Sequence, residues 1–325
     1  MASLSNSPVA QTINGRWAAP LTFAVLAAVP FWGNDYHVTV AVNLCVTLIL
    51  TLSLNLVVGY SGQFHLSHVT FFGVGAYTSA ILAKDVGLSA WLCLLGSIIV
   101  VAFLAALIGA PVTRLKGLYL AVATLAFSLF MEVVVNQAGS LTGGGYGIQH
   151  VPAAYLGTLK LSGKSFYAVA LAMLSLTFLL LRNILNSKFG REIIACRDHP
   201  EAAEASGISP ALNRLVVLVI AAGFAALGGW VHTFYHLTLN PNLLNPEWTF
   251  VWFFMVLVGG IGDTLGVIIG TLLLSLVPEF FGFATGQTIF GIGILMILVT
   301  LFAPRGLGGL IDDVTQRVRT WRHAN

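Results

Sequence analysis

The sequence predicts an all-α fold: a polytopic transmembrane helical bundle of about ten spans, with both termini on the cytoplasmic side. Three observations predict it. Only 27 of the 325 residues are Asp, Glu, Lys or Arg, or 8%, against roughly 25% in soluble domains. Residues of the AVILMFWYC set make up 57%, Gly adds 34 more, and the mean hydropathy is +0.90. The charges also cluster, leaving 36–83, 86–113, 133–159, 215–246 and 280–304 without any. Too few polar side chains remain to cover a water-soluble globule, which excludes a soluble enzyme. Intrinsic disorder requires the opposite composition. A β-barrel requires alternating segments, whereas Ile98 to Ile108 is apolar on every face.

A helix crosses the hydrocarbon with about 20 residues and satisfies its own backbone there. The expected spans, in chain order, are 18–33, 38–57, 69–83, 90–112, 117–136, 166–182, 214–236, 249–262, 265–282 and 286–303. The first follows Arg16 and resembles a signal peptide. No small-x-small site follows it, however, and Pro30-Phe31-Trp32 suits an interfacial aromatic anchor, so the span is expected to be retained. With this count Arg16, Arg114, Lys116, the five basic residues from Arg182 to Arg214 and the four from Arg305 to Arg322 share one side. The positive-inside rule makes that side cytoplasmic. Lys84, Lys160 and Lys164 are left outside, so 12 of the 15 basic residues agree. The chain divides into a cytoplasmic tail 1–17, a transmembrane domain 18–310 carrying a cytoplasmic loop 183–213, and a basic cytoplasmic tail 311–325.

Three spans (69–83, 249–262 and 265–282) are short or interrupted by Gly73, Gly75, Gly266, Gly270 and Pro278. Broken helices are tolerated in lipid where protein or a water-filled cavity satisfies the freed backbone, which suggests a pathway; close helix packing is the blander alternative.

Candidate chemistry is sparse. Gly157-Thr-Leu-Lys-Leu-Ser-Gly163-Lys164-Ser165 resembles a nucleotide-binding loop, but its first Gly is one residue too far from Gly163 and no strand is expected before it. Any ATP hydrolysis therefore belongs to another chain. His65-x-x-His68 and His232-x-x-x-His236 are each half a metal site, lack a carboxylate partner and sit near expected span ends, where His is an ordinary interfacial residue. No metal is expected. Glu132, Asp263 and Glu279 also read as interfacial rather than as a buried proton relay. Cys45, Cys93 and Cys196 are odd in number and scattered, so no disulfide framework is implied.

The stretch 182–214 holds 9 of the 27 charges. Within it Asp198-His-Pro200-Glu201-Ala202-Ala203-Glu-Ala-Ser-Gly207-Ile208 reads as a complete short helix. Asp198 and Glu201 have capping-box spacing, Pro200 suits a first turn, and Gly207 with Ile208 fits a Schellman stop. Two turns of helix are unstable alone, so this one is expected to dock. Its partner is either the protein's own bundle or a separate cytoplasmic chain.

Several stretches, taken in order, resemble the permeases of the branched-chain amino acid ATP-binding-cassette importers, of the LivM type. They are Asn55-Leu-Val-Val-Gly59-Tyr-Ser-Gly62-Gln63 to Tyr77, Arg114-Leu-Lys-Gly117-Leu-Tyr119, Leu141 to Gly145, Phe189 to Ala203 with Gly207-Ile208, Gly259-Gly-Ile-Gly262, and Phe302-Ala-Pro-Arg-Gly306-Leu. The resemblance implies a permease subunit in the bacterial inner (plasma) membrane that translocates leucine, isoleucine or valine. It implies partners too: a second, similar permease in a heterodimer, two cytoplasmic ATP-binding subunits, a periplasmic substrate-binding protein and membrane lipid, but no nucleic acid. The chain itself would be no enzyme and hold no cofactor, ATP being hydrolysed by the partners. Asp198, Pro200, Glu201, Ala202, Ala203 and Gly207 would then couple to the ATPase. Gly59, Gly62, Gln63, Gly73, Gly75, Gly259 and Gly262 are candidates for the translocation pathway. The sequence departs from the family at His65 and Ser67, where relatives commonly carry Ser and Gly. That leaves related substrates open, namely urea, short-chain amides or aromatic acids. A stand-alone carrier or channel and a membrane-embedded metalloenzyme are the rivals from other classes.

Overall fold

The computed structural model describes residues 34–115 and 117–281, with 293, 306 and 307. The expected spans 18–33 and 286–303 and the tails 1–17 and 311–325 lie outside the described residues, apart from position 293.

The described chain is all-α except for one small hairpin. Helix α1 (Asp35–Asn55) runs directly into a π-helical turn, Leu56–Tyr60. It is followed by α2 (His68–Lys84), α3 (Ala90–Val112), α4 (Leu118–Gln137), α5 (Lys164–Asn186), α6 (Lys188–Asp198), α7 (Pro200–Ala205), α8 (Pro210–His236), α9 (Glu247–Gly259) and α10 (Thr264–Phe281). Each expected span from 38–57 to 265–282 is therefore a helix, and 90–112 agrees at both ends. Among the described residues five helices are long and apolar enough to cross a membrane: α1 with its π turn, α3, α4, α5 and α8. At 1.5 Å per residue α2, with 17 residues, reaches about 25 Å, less than the roughly 30 Å of hydrocarbon.

Helix ends follow local chemistry. Helix α8 begins four residues before the expected 214, because Ser209 accepts from Leu212 N at 3.4 Å and Pro210 occupies the first turn. It stops at Leu237, whose left-handed backbone (φ 57°) turns its N–H back to Thr233 O at 2.8 Å. Ser187 caps α6 by accepting from Gly190 N at 3.3 Å.

Two helices form the centre. Of the most apolar stretch of each helix, 83% is buried in α1 and 67% in α8, against 28% in α3, α4 and α5. The last three therefore lie at the periphery and present Ile99, Phe103, Leu118 and Phe130 outward. Such a surface suits lipid, where apolar side chains incur no cost. Helices α2 and α8 approach closely at their glycines. A Cβ on Gly229 would strike the backbone of Phe72, Gly75 and Ala76, and one on Gly75 would strike Ala226. Hydroxyls join the buried surfaces: Thr233 Oγ1 donates to Ala76 O (3.1 Å), Thr271 Oγ1 to Thr51 Oγ1 (2.9 Å) and Thr70 Oγ1 to Ser128 Oγ (3.0 Å). Trp230 is wholly buried, and its Nε1–H donates to Ala90 O at 2.7 Å, pinning the start of α3 to α8.

The nucleotide-loop look-alike begins in a β-hairpin and ends in the first residues of α5. Strand β1 (Tyr155–Leu156) pairs antiparallel with β2 (Leu159–Lys160), with Gly157 at φ 63° in the turn between them. Contrary to expectation a strand does precede Gly157, but the turn returns straight into its partner strand and offers no phosphate cradle.

Candidate functional site

The short helix lies where the sequence placed it. Helix α6 buries Gly190, Ile193 and Cys196, and α7 follows after one residue. The expected capping box does not form. His199 is the N-cap of α7 without a side-chain cap bond, and Asp198 ends α6 with its carboxylate 2.8 Å from Arg197 Nε. The guanidinium next door outcompetes a neutral backbone N–H, because charge-assisted bonds are the stronger ones. The Schellman stop does form: Ile208 N reaches Ala203 O at 3.0 Å, Gly207 N reaches Glu204 O at 2.9 Å, and Gly207 has φ 81°. Pro200 occupies the first turn. Only Ala203 on α7 turns inward, 4% exposed, while Glu201, Ala202, Glu204, Ala205 and Gly207 face out. The helix thus offers a surface of small and acidic side chains.

Behind α6, five segments meet. Arg197 Nη1 donates to Gly59 O at 2.8 Å, in the π turn at the end of α1. The stem of Arg197 lies against Gly62, whose φ of 67° favours glycine and where a Cβ would strike that stem. Asn55 Oδ1 accepts from Gly262 N at 2.9 Å, drawing the α9–α10 turn onto the same π turn. Tyr60 OH and Thr264 Oγ1 are 2.8 Å apart, closing that contact from the other side. Gln63 Nε2 donates to Ser61 Oγ at 2.9 Å and to Arg214 O at 3.1 Å, tying in the first turns of α8. A Cβ on Gly59 would overlap Asn55 Oδ1 and Gly262 N, so the approach of the α9–α10 turn requires glycine there.

Four of the candidate pathway residues therefore cluster here: Gly59, Gly62, Gln63 and Gly262. Gly259 packs against Gly266, Val267 and Gly270, holding α9 on α10. Gly73 and Gly75 sit elsewhere, on α2 against Leu244 and Ala226. Sequence reading missed Arg197 and Asn55 as individual residues. Arg197 meets Gly59 across 138 positions and Asn55 meets Gly262 across 207, separations that no local spacing rule covers.

The histidines correct another expectation. His65 and His68 are 2% and 1% exposed rather than interfacial, because the segment between α1 and α2 folds back into the bundle. His68 Nε2 lies 2.8 Å from Ser53 Oγ, and His65 contacts Ser67. The rings of His232 and His236 meet tilted at 40° with centroids 4.4 Å apart, and His236 Nε2 pairs with Asn43 Oδ1 at 3.0 Å. Among the described residues no group of three or more His, Cys, Asp or Glu could hold a metal ion. Glu132 is half-buried near the end of α4, and Asp263 caps α10 by accepting from Leu265 N at 3.1 Å. The side chain of Glu279 lies outside the described residues. The three cysteines are free and buried.

Membrane-length helices around a buried α1–α8 pair, with a charged loop ending in a short exposed helix, define a multi-pass helical membrane protein. The chain belongs to the branched-chain amino acid transport system permease component family, whose model matches residues 36–302. It is similar to the high-affinity branched-chain amino acid transport system permease protein LivM of Salmonella typhimurium, at 30% identity over 87% of this chain and 72% of the relative. LivM of Escherichia coli is also 30% identical, over 86% of this chain and 71% of its own length. A shorter stretch, 38% of this chain, is 29% identical to 36% of the galactose/methyl galactoside import permease MglC of Escherichia coli. No solved structure matches the chain significantly.

Proposed function

We propose that this chain is the membrane subunit of an ATP-driven importer that carries branched-chain amino acids of the leucine, isoleucine and valine type across the bacterial inner membrane. The observation that carries the reading is family membership over 36–302, with 30% identity to LivM over 87% of the chain. Ten spans with both termini inside complete the topology, and the loop 183–213 then faces the cytoplasm. In this reading α7 is the docking helix, and Asp198, Pro200, Glu201, Ala202, Ala203 and Gly207 form or frame its contact with an ATP-binding subunit. The outward small and acidic face of α7 supports that role, since six residues of helix without a partner have little reason to persist. Closure of two ATPases would push α7 and rock the bundle between outward and inward openings. A second, similar permease and a periplasmic binding protein complete the assembly, and ATP is bound by the partners.

The test is to isolate the tagged chain from its native membrane in mild detergent and identify by mass spectrometry what stays bound. Two ATP-binding chains and a second permease are the expected result. A lone chain that carries solute without ATP would overturn it in favour of a carrier, and a lone chain with stoichiometric metal in favour of an enzyme. Reconstituted uptake of labelled leucine, competed with isoleucine, valine, urea, acetamide and benzoate, then distinguishes the amino acids from the related substrates left open by His65 and Ser67.

A further inference from the structure

We propose that Arg197 is the positioning residue through which motion of α6 and α7 enters the membrane bundle, by capping the carboxyl end of α1 and holding it against the α9–α10 turn. The proposal rests on the importer reading above, because it assigns the route by which a push on α7 reaches the spans.

The route begins at an open helix end. The last carbonyls of a helix lack intrahelical donors and form the negative pole of its dipole. Helix α1 ends in a π turn, where Ser61 N bonds to Leu56 O rather than one residue later, and Gly59 O is taken by Arg197 Nη1 at 2.8 Å. A cation from a helix outside the bundle thus caps its most buried long helix. The same end of α1 carries the α9–α10 turn, through Asn55 Oδ1 and Gly262 N and, from the π turn, through Tyr60 OH and Thr264 Oγ1. Displacing Arg197 therefore displaces two separate spans, and π turns are frequent at functional sites.

The guanidinium is suited to the task for a geometric reason. Its Nη1 serves Gly59 O while its Nε serves Asp198 Oδ1 at 2.8 Å, so one rigid plane joins the end of α6 to the end of α1. A lysine ammonium is a point charge on a flexible stem and does not fix both contacts in one plane. The contact is also short of slack: the Arg197 stem already touches Gly62, and Gly59 cannot move away without meeting Gly262. A small movement of α6 is therefore passed on rather than absorbed.

The test uses the complete assembly purified from its native membrane, with wild-type chain, Arg197→Gln, Arg197→Lys and Asn55→Ala. Amide hydrogen exchange is followed with and without ATP plus vanadate, a readout that needs no knowledge of the substrate. In the wild type, ATP plus vanadate is expected to change exchange in 188–207, in 56–63 and in 259–263. In Arg197→Gln the change should remain in 188–207 and vanish from the other two. Asn55→Ala leaves the cap and the Tyr60–Thr264 contact but removes the bond to Gly262, so the change should reach 56–63 in full and 259–263 only in part. In vesicles, ATP hydrolysed per labelled leucine imported should rise about tenfold in Arg197→Gln, the factor that a charged hydrogen bond of about 1.5 kcal/mol commands. Arg197→Lys should fall between the two. Unchanged exchange at 56–63 in Arg197→Gln, or an unchanged ratio, would overturn the proposal. So would loss of the ATP-binding chains from that variant, since Arg197 would then serve docking alone. A wild-type assembly without ATP-binding chains would instead sink the importer reading and take the proposal with it.

Discussion

Replacing Gly229 with alanine should loosen the centre of the bundle, and the crossing of α2 and α8 allows the size to be worked out. The added Cβ would fall on Phe72 O and Ala76 N, which are backbone atoms of α2 and cannot rotate away. The helices must separate, and overpacking of this kind costs about 1–3 kcal/mol. Separation also stretches the Thr233 Oγ1 to Ala76 O bond, 3.1 Å long and worth roughly 0.6 kcal/mol between membrane helices. The expected loss is about 2–4 kcal/mol. Gly223→Ala is the matched control on the same helix: its Cβ would sit 3.8 Å from Ile98 Cγ2, an ordinary contact. Alanine is the better helix former, so this change should be neutral or stabilise by up to about 1 kcal/mol. The assay is the midpoint temperature at which detergent-solubilised protein stops eluting as a single species. Gly229→Ala should lower it by at least about 4 °C, and Gly223→Ala should hold or raise it. Equal midpoints for the two variants would refute the close crossing.

Other outcomes follow from single contacts. Trp230→Phe keeps the buried ring system but leaves Ala90 O without its 2.7 Å donor, so it should cost about 1–2 kcal/mol in the same assay, and wild-type stability would contradict the contact. A tryptophan at exposed Ala202 should leave insertion and stability intact while releasing the ATP-binding chains in pull-down; retained chains and normal uptake would count against docking through α7. Gly207→Ala forces a side chain into φ 81°, costs about 1 kcal/mol at the stop of α7 and should depress ATP-driven uptake with the protein still inserted. Burial pushes the Cys196 thiol above its ordinary range, with Glu192 and Glu204 adding to that and Arg214 opposing it. Its thiolate is therefore scarcer than a free cysteine's at pH 7.5, and a maleimide should label Cys196 only after denaturation. Rapid labelling of the folded protein would show that α6 does not bury this residue.

Much of the architecture was legible because lipid imposes a simple rule. Apolar stretches of about 20 residues between charges must become helices, and 90–112 did so residue for residue. The stop of α7 was equally local, since a Schellman motif needs only a glycine that can adopt positive φ and the residue after it. The capping box at Asp198 failed because a competitor for its carboxylate, Arg197, stood one position away, and spacing rules do not rank rival partners. The histidines at 65 and 68 differ from expectation because nearness to the span ends at 57 and 69 puts a histidine at an interface. Burial came from the fold of the 61–67 segment, with Ser53 supplying a hydrogen bond from another helix.

What the sequence by itself determined is the solvent, the helical class, the succession of helices from 38–57 to 265–282 and the presence of a short helix, closed by a glycine, on a charged loop. Each depends on composition or on residues within a few positions of one another. What only the tertiary structure decided is which helices are central and where the glycines act. Gly59 joins Asn55, Gly262 and Arg197, whereas Gly75 joins Ala226, and nothing near either glycine in the chain distinguishes the two. A glycine records only that a side chain is absent; what approaches the space it leaves is set by segments more than a hundred residues away.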